Sequence, residues 1–213
     1  MTESEDTRAR IAEAAHRLFT EGGEEATSLR AITRAAEVNV ASVHYHFGGR
    51  DELLRVVLDR KIGPLNRHRM RLLDEAVATH GAVVPVEELL RAFIRPDLEL
   101  LAELRETEVR FARFMGRAYT QPSPMVAGLV ERQFQDIGDR LFPLLEKALP
   151  EVDPDELRVR MRLTVSVITN LFASAVPPGE PHPLDTDDIE RQLRRLVGFL
   201  SPALAAPNPK PET

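Results

Sequence analysis

Residues 27–58 read TSLRAITRAAEVNVASVHYHFGGRDELLRVVL, and this stretch decides the fold. It holds two short helical segments joined by a tight connection. Thr27 or Ser28 can cap the first, which buries Leu29, Ile32 and Ala36 at helical spacing. Asn39 caps the second, which runs from Val40 to about His46. A stronger helix begins at Arg50 and is expected to stop or kink at Gly63-Pro64, because proline cannot supply the helical N–H. Upstream, Ile11, Ala14, Ala15, Leu18 and Phe19 form a narrow apolar stripe that ends at Gly22-Gly23. Downstream, helical periodicity continues at about 65–80, 86–105, 107–119, 123–149, 155–176 and 186–205. No long alternation of β-branched and polar residues suggests a sheet, so the chain reads as all-α.

The 213 residues allow one large domain or a small domain joined to a larger one. Lys+Arg 28 against Asp+Glu 34 gives a net charge of -6, so a polyanion must be met by a local patch rather than by an overall positive field. Residues 27–61 supply one: six bases against four acids leave this window at +2. The absence of cysteine excludes disulfides, thiolate metal sites and cysteine nucleophiles together. Apolar runs are short and broken by charge, and the start MTESEDTRAR is polar, so no membrane span or signal peptide is expected and the cytoplasm is the default location. Seven of the nine phenylalanines follow Ile62, which suggests different tasks for the two parts.

The lengths and spacing at 29–46 suit a helix-turn-helix, whose second helix can enter the major groove of DNA. Val40, Ala41 and Ser42 are small enough to let that helix approach base edges. Ser28 and Thr27 stand at a helix N-terminus, where amides and a hydroxyl can hold a phosphate oxygen. Arg50 can clamp a phosphate from the other side, while His44, Tyr45 and His46 add aromatic and donor groups.

These residues resemble the DNA-binding signature of the tetracycline-repressor-like (TetR) family of bacterial regulators. The likeness runs continuously from about Arg8 to Leu58: a Thr-Ser cap, a capped small-residue turn before the recognition helix, an aromatic-His-Phe ending and a basic residue opening the fourth helix. It implies a three-helix helix-turn-helix DNA-binding domain over residues 1–50, a bridge formed by helix 50–62, and a larger all-helical ligand-binding and dimerisation domain over 63–205. A disordered tail is expected at 206–213, where prolines recur. Implied phosphate contacts are Thr27, Ser28, Tyr45 and Arg50, with Val40, Ala41, Ser42 and His44 facing the groove and Asn39 and His46 beside them. Two positions depart from the family pattern. Glu37 replaces the glycine of the turn, and His44 replaces a tyrosine, which could move that position from phosphate to base contact or make it pH-sensitive. Val38 to Phe47, with Ile62-Gly63-Pro64, also looks like the branch that includes fatty-acid-sensing (PsrA-like) regulators.

Leu29, Ile32, Val43 and Phe47 read as core that holds the motif's angle. His44 and His46, two apart on a helix, point away from each other and do not form a metal pair. Arg67, Arg69 and Arg71 read as a solvated face rather than a DNA arm. Phe93, Phe111, Phe114, Met115, Phe134, Ile137 and Phe172 are either ordinary core or the lining of an apolar effector cavity. Arg110 and Arg113 are either an exposed charged face or anchors for an acidic head group. The stripes Leu157, Met161, Val165, Ile168 and Ile189, Leu193, Leu196, Leu200 are expected to pair with their two-fold mates.

No Gly-rich phosphate loop, HExxH or GxSxG occurs, so an enzyme is not expected, nor a metal or cofactor. The sequence therefore predicts a homodimeric, ligand-responsive transcriptional regulator. It would repress by binding a palindromic double-stranded DNA operator and leave it for a small, mainly apolar effector, a fatty acid or acyl-CoA by the branch resemblance. The alternative is a helical protein-interaction module without sequence-specific DNA binding.

Overall fold

The computed structural model describes residues 3–104, 106–120, 124–176 and 188–208. Among the described residues there are nine helices and no strand: α1 (Glu3–Ala26), α2 (Leu29–Ala35), α3 (Val40–Phe47), α4 (Arg50–His80), α5 (Val86–Ala102), α6 (Glu106–Thr120), α7 (Pro124–Ala148), α8 (Pro154–Ala173) and α9 (Ile189–Leu204).

The all-α architecture is as the periodicity demands. The stop expected at Gly22-Gly23 is present inside α1 as a break, where Gly23 takes φ 76° and ψ 176°. The turn between α2 and α3 closes in a Schellman pattern: Val38 N donates to Thr33 O at 3.0 Å and Glu37 N to Arg34 O at 3.3 Å. That pattern requires a left-handed residue, and Glu37 supplies it at φ 55° in place of glycine. The turn keeps its shape, and the side chain bears the strain.

Two apolar cores result. The first gathers Ile11, Ala15 and Phe19 of α1, Ile32 of α2, Val43 and Phe47 of α3, and Leu53, Leu54, Val57, Leu58 and Ile62 of α4. The second lies between α5, α7, α8, α9 and the later part of α4. Two helices belong to both. α4 contributes Leu73 to the second core, and α6 contributes Phe111, Phe114 and Met115 to the first but Val109 and Ala112 to the second. α6 crosses α8 closely: a Cβ added at Gly116 would stand 2.2 Å from Ala173 N.

Two expectations are corrected here. α4 does not end at Ile62 but runs unbroken through Gly63 and Pro64 for 31 residues. Pro64 and Arg60 are both exposed, so water can take the Arg60 carbonyl that proline leaves without a donor, while Ile62 packs inside. The tail is fastened as far as residue 208. Buried Arg160 donates to the carbonyls of Leu204 at 2.8 Å and Pro207 at 3.0 Å, and Asn208 Nδ2 donates to Glu151 O at 3.1 Å. Residues 209–213 lie outside the described set. No described helix is long and apolar enough to cross a membrane.

Candidate nucleic-acid interface and effector cavity

The capping residue Asn39 sets where α3 starts. Its Oδ1 accepts from Ser42 N at 2.8 Å and from Ser42 Oγ at 3.0 Å. Gly48, left-handed at φ 74°, closes the other end by donating its N–H to His44 O at 2.9 Å. Between these caps, Val43 and Phe47 fall one turn apart and are buried, which turns the rest of the helix outward. Tyr45 is 82% and Val40 40% exposed, with Asn39, Ala41 and His44 also at the surface. Ser42 and His46 are half-buried. The His44 ring is held by an Nδ1 contact to Gly48 O at 3.1 Å; a carbonyl can only accept, so Nδ1 carries the proton and Nε2 is turned outward.

The two hydroxyls before α2 divide their work. Ser28 is exposed and accepts from Ala31 N at 3.1 Å as the N-cap. Thr27, expected as a phosphate contact, is 4% exposed and donates its hydroxyl to Leu18 O at 3.0 Å and Gly23 O at 2.7 Å. It is a strut between α1 and α2, which corrects that assignment. Arg50 combines both roles: Nε donates to Thr27 O at 2.9 Å and the guanidinium lies over Phe19, yet the side chain remains 24% exposed beside α3. Arg30 and Arg34 of α2 are exposed too, and only the charge of the window hinted at them.

The residues expected to line a cavity separate into two groups. Phe93, Met115, Phe134 and Phe172 do converge, with Ile62, Leu65, Val165, Ile168 and Thr169, around a small, partly enclosed void of about 20 Å³, room for one water molecule. Phe111 and Phe114 instead pack toward α1, where the Phe111 ring stacks on His16 with centroids 4.6 Å apart. Ile137 lines a different, open groove of about 960 Å³ between α4 and α7, together with Arg55, Asp59, Asn66, Arg67, Arg71 and Asp74. Arg110 is exposed, and Arg113 donates Nε to Ala175 O at 2.6 Å, tying α6 to the end of α8. Neither lines the void, so the anchor role offered to them is corrected.

The charged groups at the void are Arg69 and Asp97. The Arg69 side chain, 3% exposed, donates Nη2 to Asp97 Oδ2 at 2.5 Å, Nη1 to Asn66 Oδ1 at 2.6 Å and Nε to Phe93 O at 3.0 Å. Its guanidinium also sits over the Phe93 ring at 5.0 Å and the Phe134 ring at 6.0 Å. Burial pushes the Asp97 carboxyl above its ordinary range, and the charge and hydrogen bond of Arg69 pull against that shift. The reading of Arg69 as part of a solvated face is therefore corrected.

The stripes expected to form the dimer contact are spent inside one chain. Leu157, Met161, Ile168, Leu193, Leu196 and Leu200 are all buried, with Val165 and Ile189 packed against the same core. A side chain already covered cannot cover a two-fold mate. The outward apolar residues of these helices are Val159 and Leu163 on α8 and Phe199 on α9, the last two 64% and 67% exposed.

Comparison with known proteins agrees with this layout. Residues 11–57 match the family model described as bacterial regulatory proteins, tetR family, and residues 91–202 match that of the tetracyclin repressor-like C-terminal domain. The chain is 34% identical over 184 residues to the HTH-type transcriptional repressor Rv3405c of Mycobacterium tuberculosis, an alignment covering 78% of this chain and 91% of that protein. It is 27% identical over 177 residues to the HTH-type transcriptional repressor KstR of Rhodococcus jostii, covering 76% of this chain and 82% of that one. Among solved structures, NalD, the secondary repressor of the MexAB-OprM multidrug efflux pump in Pseudomonas aeruginosa, superposes with a TM-score of 0.60 at 23% identity. That superposition covers 93% of this chain and 96% of NalD, a likeness of fold.

Proposed function

The chain belongs to the tetR family of bacterial regulatory proteins, as a DNA-binding regulator and not an enzyme, and from that premise we propose how its residues divide the work of repression. The carrying observation is the outward face of α3, where Tyr45, His44, Ala41 and Val40 stand exposed on a helix pinned from behind by Val43 and Phe47. Val40, Ala41 and His44 read base edges, with Asn39, Ser42 and His46 beside them; Ser28, Tyr45 and Arg50 hold phosphates. Residues up to about 50 form the DNA-binding domain, and α4 bridges it to a larger effector and dimerisation domain. Location in the cytoplasm follows from the DNA partner.

A second copy covers Val159, Leu163 and Phe199. Val159 and Leu163 lie one turn apart on α8, and large apolar side chains so exposed are what a two-fold contact buries. The effector is a mainly apolar molecule, such as a fatty acid or its CoA ester, held in the void beside Phe93, Met115, Phe134 and Phe172. A void of about 20 Å³ must widen to admit it. Since α4 lines that void with Ile62, Leu65 and Arg69, widening tilts α4 and changes the separation of the recognition helices from half-sites about 34 Å, or a multiple, apart.

The test is a gel shift with DNA from upstream of the chain's own coding sequence. The expected result is binding that survives nonspecific competitor and is lost in Leu163→Glu and Phe199→Asp, which become monomers by light scattering. Because both side chains are exposed in the single chain, these variants keep their circular dichroism. Binding that competitor abolishes would favour a protein-interaction module, and dimers persisting in both variants would place the contact elsewhere.

A further inference from the structure

The Arg69–Asp97 pair is an expensive object to place beside an apolar void. Each side chain is 3% exposed, and a buried ion pair of this kind seldom stabilises more than apolar residues of the same volume would. Its chemistry is also asymmetric. Arginine cannot give up its proton inside a protein, whereas an aspartate can accept one. The site can therefore admit one additional negative charge by protonating Asp97. It cannot admit an additional positive charge at similar cost, since an amine would have to share the carboxylate with a guanidinium that stays charged.

From this geometry we infer that the pair selects an apolar monocarboxylic acid: the ligand's carboxylate takes the place of Asp97 on the Arg69 guanidinium, and Asp97 takes up a proton from solvent. The inference rests on the void being the effector site proposed above and names its polar end. It favours a free acid over a thioester, which has no carboxylate at that end. The balance is simple: one proton enters with one carboxylate, and no covalent bond changes. The arrangement of Arg69 is built for the exchange. Asn66 and the Phe93 carbonyl hold the guanidinium through Nη1 and Nε, so it stays in place when Nη2 changes partner. Burial already draws Asp97 toward its neutral form.

Among the described residues, no other charged side chain lines the void. Facing Asp97, α4 contributes Arg69; α6 contributes Met115, α7 Phe134 and α8 Ile168, Thr169 and Phe172, none of which titrates near neutral pH. Elsewhere on the same two helices, His68 and Glu99 pair with each other at 3.4 Å and are partly exposed. Asp97 is thus the group whose protonation must answer the ligand. Because the complex holds the extra proton, raising the pH weakens binding.

The experiment is calorimetric titration of the full chain with dodecanoate, dodecanol and dodecylamine, each in two buffers of different ionisation enthalpy at one pH. The expected result is that dodecanoate binds in preference to the other two and takes up about one proton, with Kd rising close to tenfold per pH unit above neutrality. In Asp97→Asn, which keeps the size of the side chain and needs no proton, uptake disappears and Kd becomes independent of pH. The wild-type buffer comparison stands alone should that variant fold poorly. Dodecanoate binding without proton uptake, uptake that persists in Asp97→Asn, or tighter binding of the amine or alcohol would each overturn the inference and leave the apolar-effector reading intact. If none of the three binds or shifts the melting temperature, the inference and the effector reading fall together.

Discussion

The two cores meet on α4 and α6 but bury different chemistry. Around the recognition helix the buried polar side chains are threonines, and Thr27 and Thr33 return their hydroxyls to carbonyls close in sequence. The larger core buries Arg69, Asp97 and Arg160, with partners between 3 and 47 positions away. In the first, Thr27 and Thr33 are satisfied locally and hold a helix at a fixed angle, while the hydroxyl of Thr20 is buried without a partner among the described residues. The second contains a charge pair whose partners can be exchanged. A rigid reader joined to a responsive bundle by shared helices is the design a ligand-controlled regulator needs.

The largest expected effect comes from breaking the charge pair. Asp97→Ala strands Arg69 in the interior and should cost about 3–5 kcal/mol in chemical denaturation. Thr33→Val, in the reader's core, removes one hydroxyl contact and should cost about 1 kcal/mol. Equal costs would erase the contrast between the cores. Next is the crossing of α6 over α8. Gly116→Ala places a methyl against the Ala173 backbone, so the helices must part, at about 1–3 kcal/mol. Because α6 carries Phe111 and Phe114 against α1, this variant should also weaken operator binding; unchanged affinity with lowered stability would show that α6 does not couple the cores.

Within the reader, Arg50 and Tyr45 sharpen the comparison further. Both substitutions to alanine should weaken operator binding evenly across sequences and reduce its salt slope by about one. Only Arg50→Ala should also lower stability, by about 1 kcal/mol, since it loses the bond to Thr27 O. Tyr45→Ala should leave stability within about 0.5 kcal/mol. The last effect has the opposite sign. Glu37→Gly keeps the turn and removes left-handed strain, so stability should rise by up to about 1 kcal/mol.

The same contrast separates what is legible in the sequence from what only packing decides. Caps, turn and inward stripe of the reader lie within 32 consecutive residues, so local rules located α2, α3 and the exposed Tyr45. They failed at Thr27 because two adjacent hydroxyls fit one capping pattern and only packing decides which turns inward. In the bundle, periodicity found α8 and α9 and their apolar stripes, but a stripe does not say whether its own chain or a second copy covers it. Arg69 and Asp97 are 28 positions apart on different helices, and no spacing rule joins them. Phe111, Phe114 and Phe172 all looked alike by composition. Which core each enters depends on the crossing of α6 between the two.

The central claim is that α4 transmits a change at the Arg69–Asp97 void to the DNA-binding domains. With no native cysteine, a single Glu13→Cys on the exposed side of α1 allows one spin label per protomer. Pulsed electron-spin distance measurement on the dimer, with and without saturating dodecanoate, reads the separation of the two readers directly. The account predicts a shifted distance distribution on binding, absent in Arg69→Gln/Asp97→Asn, together with release of operator DNA. Calorimetrically confirmed binding of dodecanoate with an unchanged distribution would contradict it.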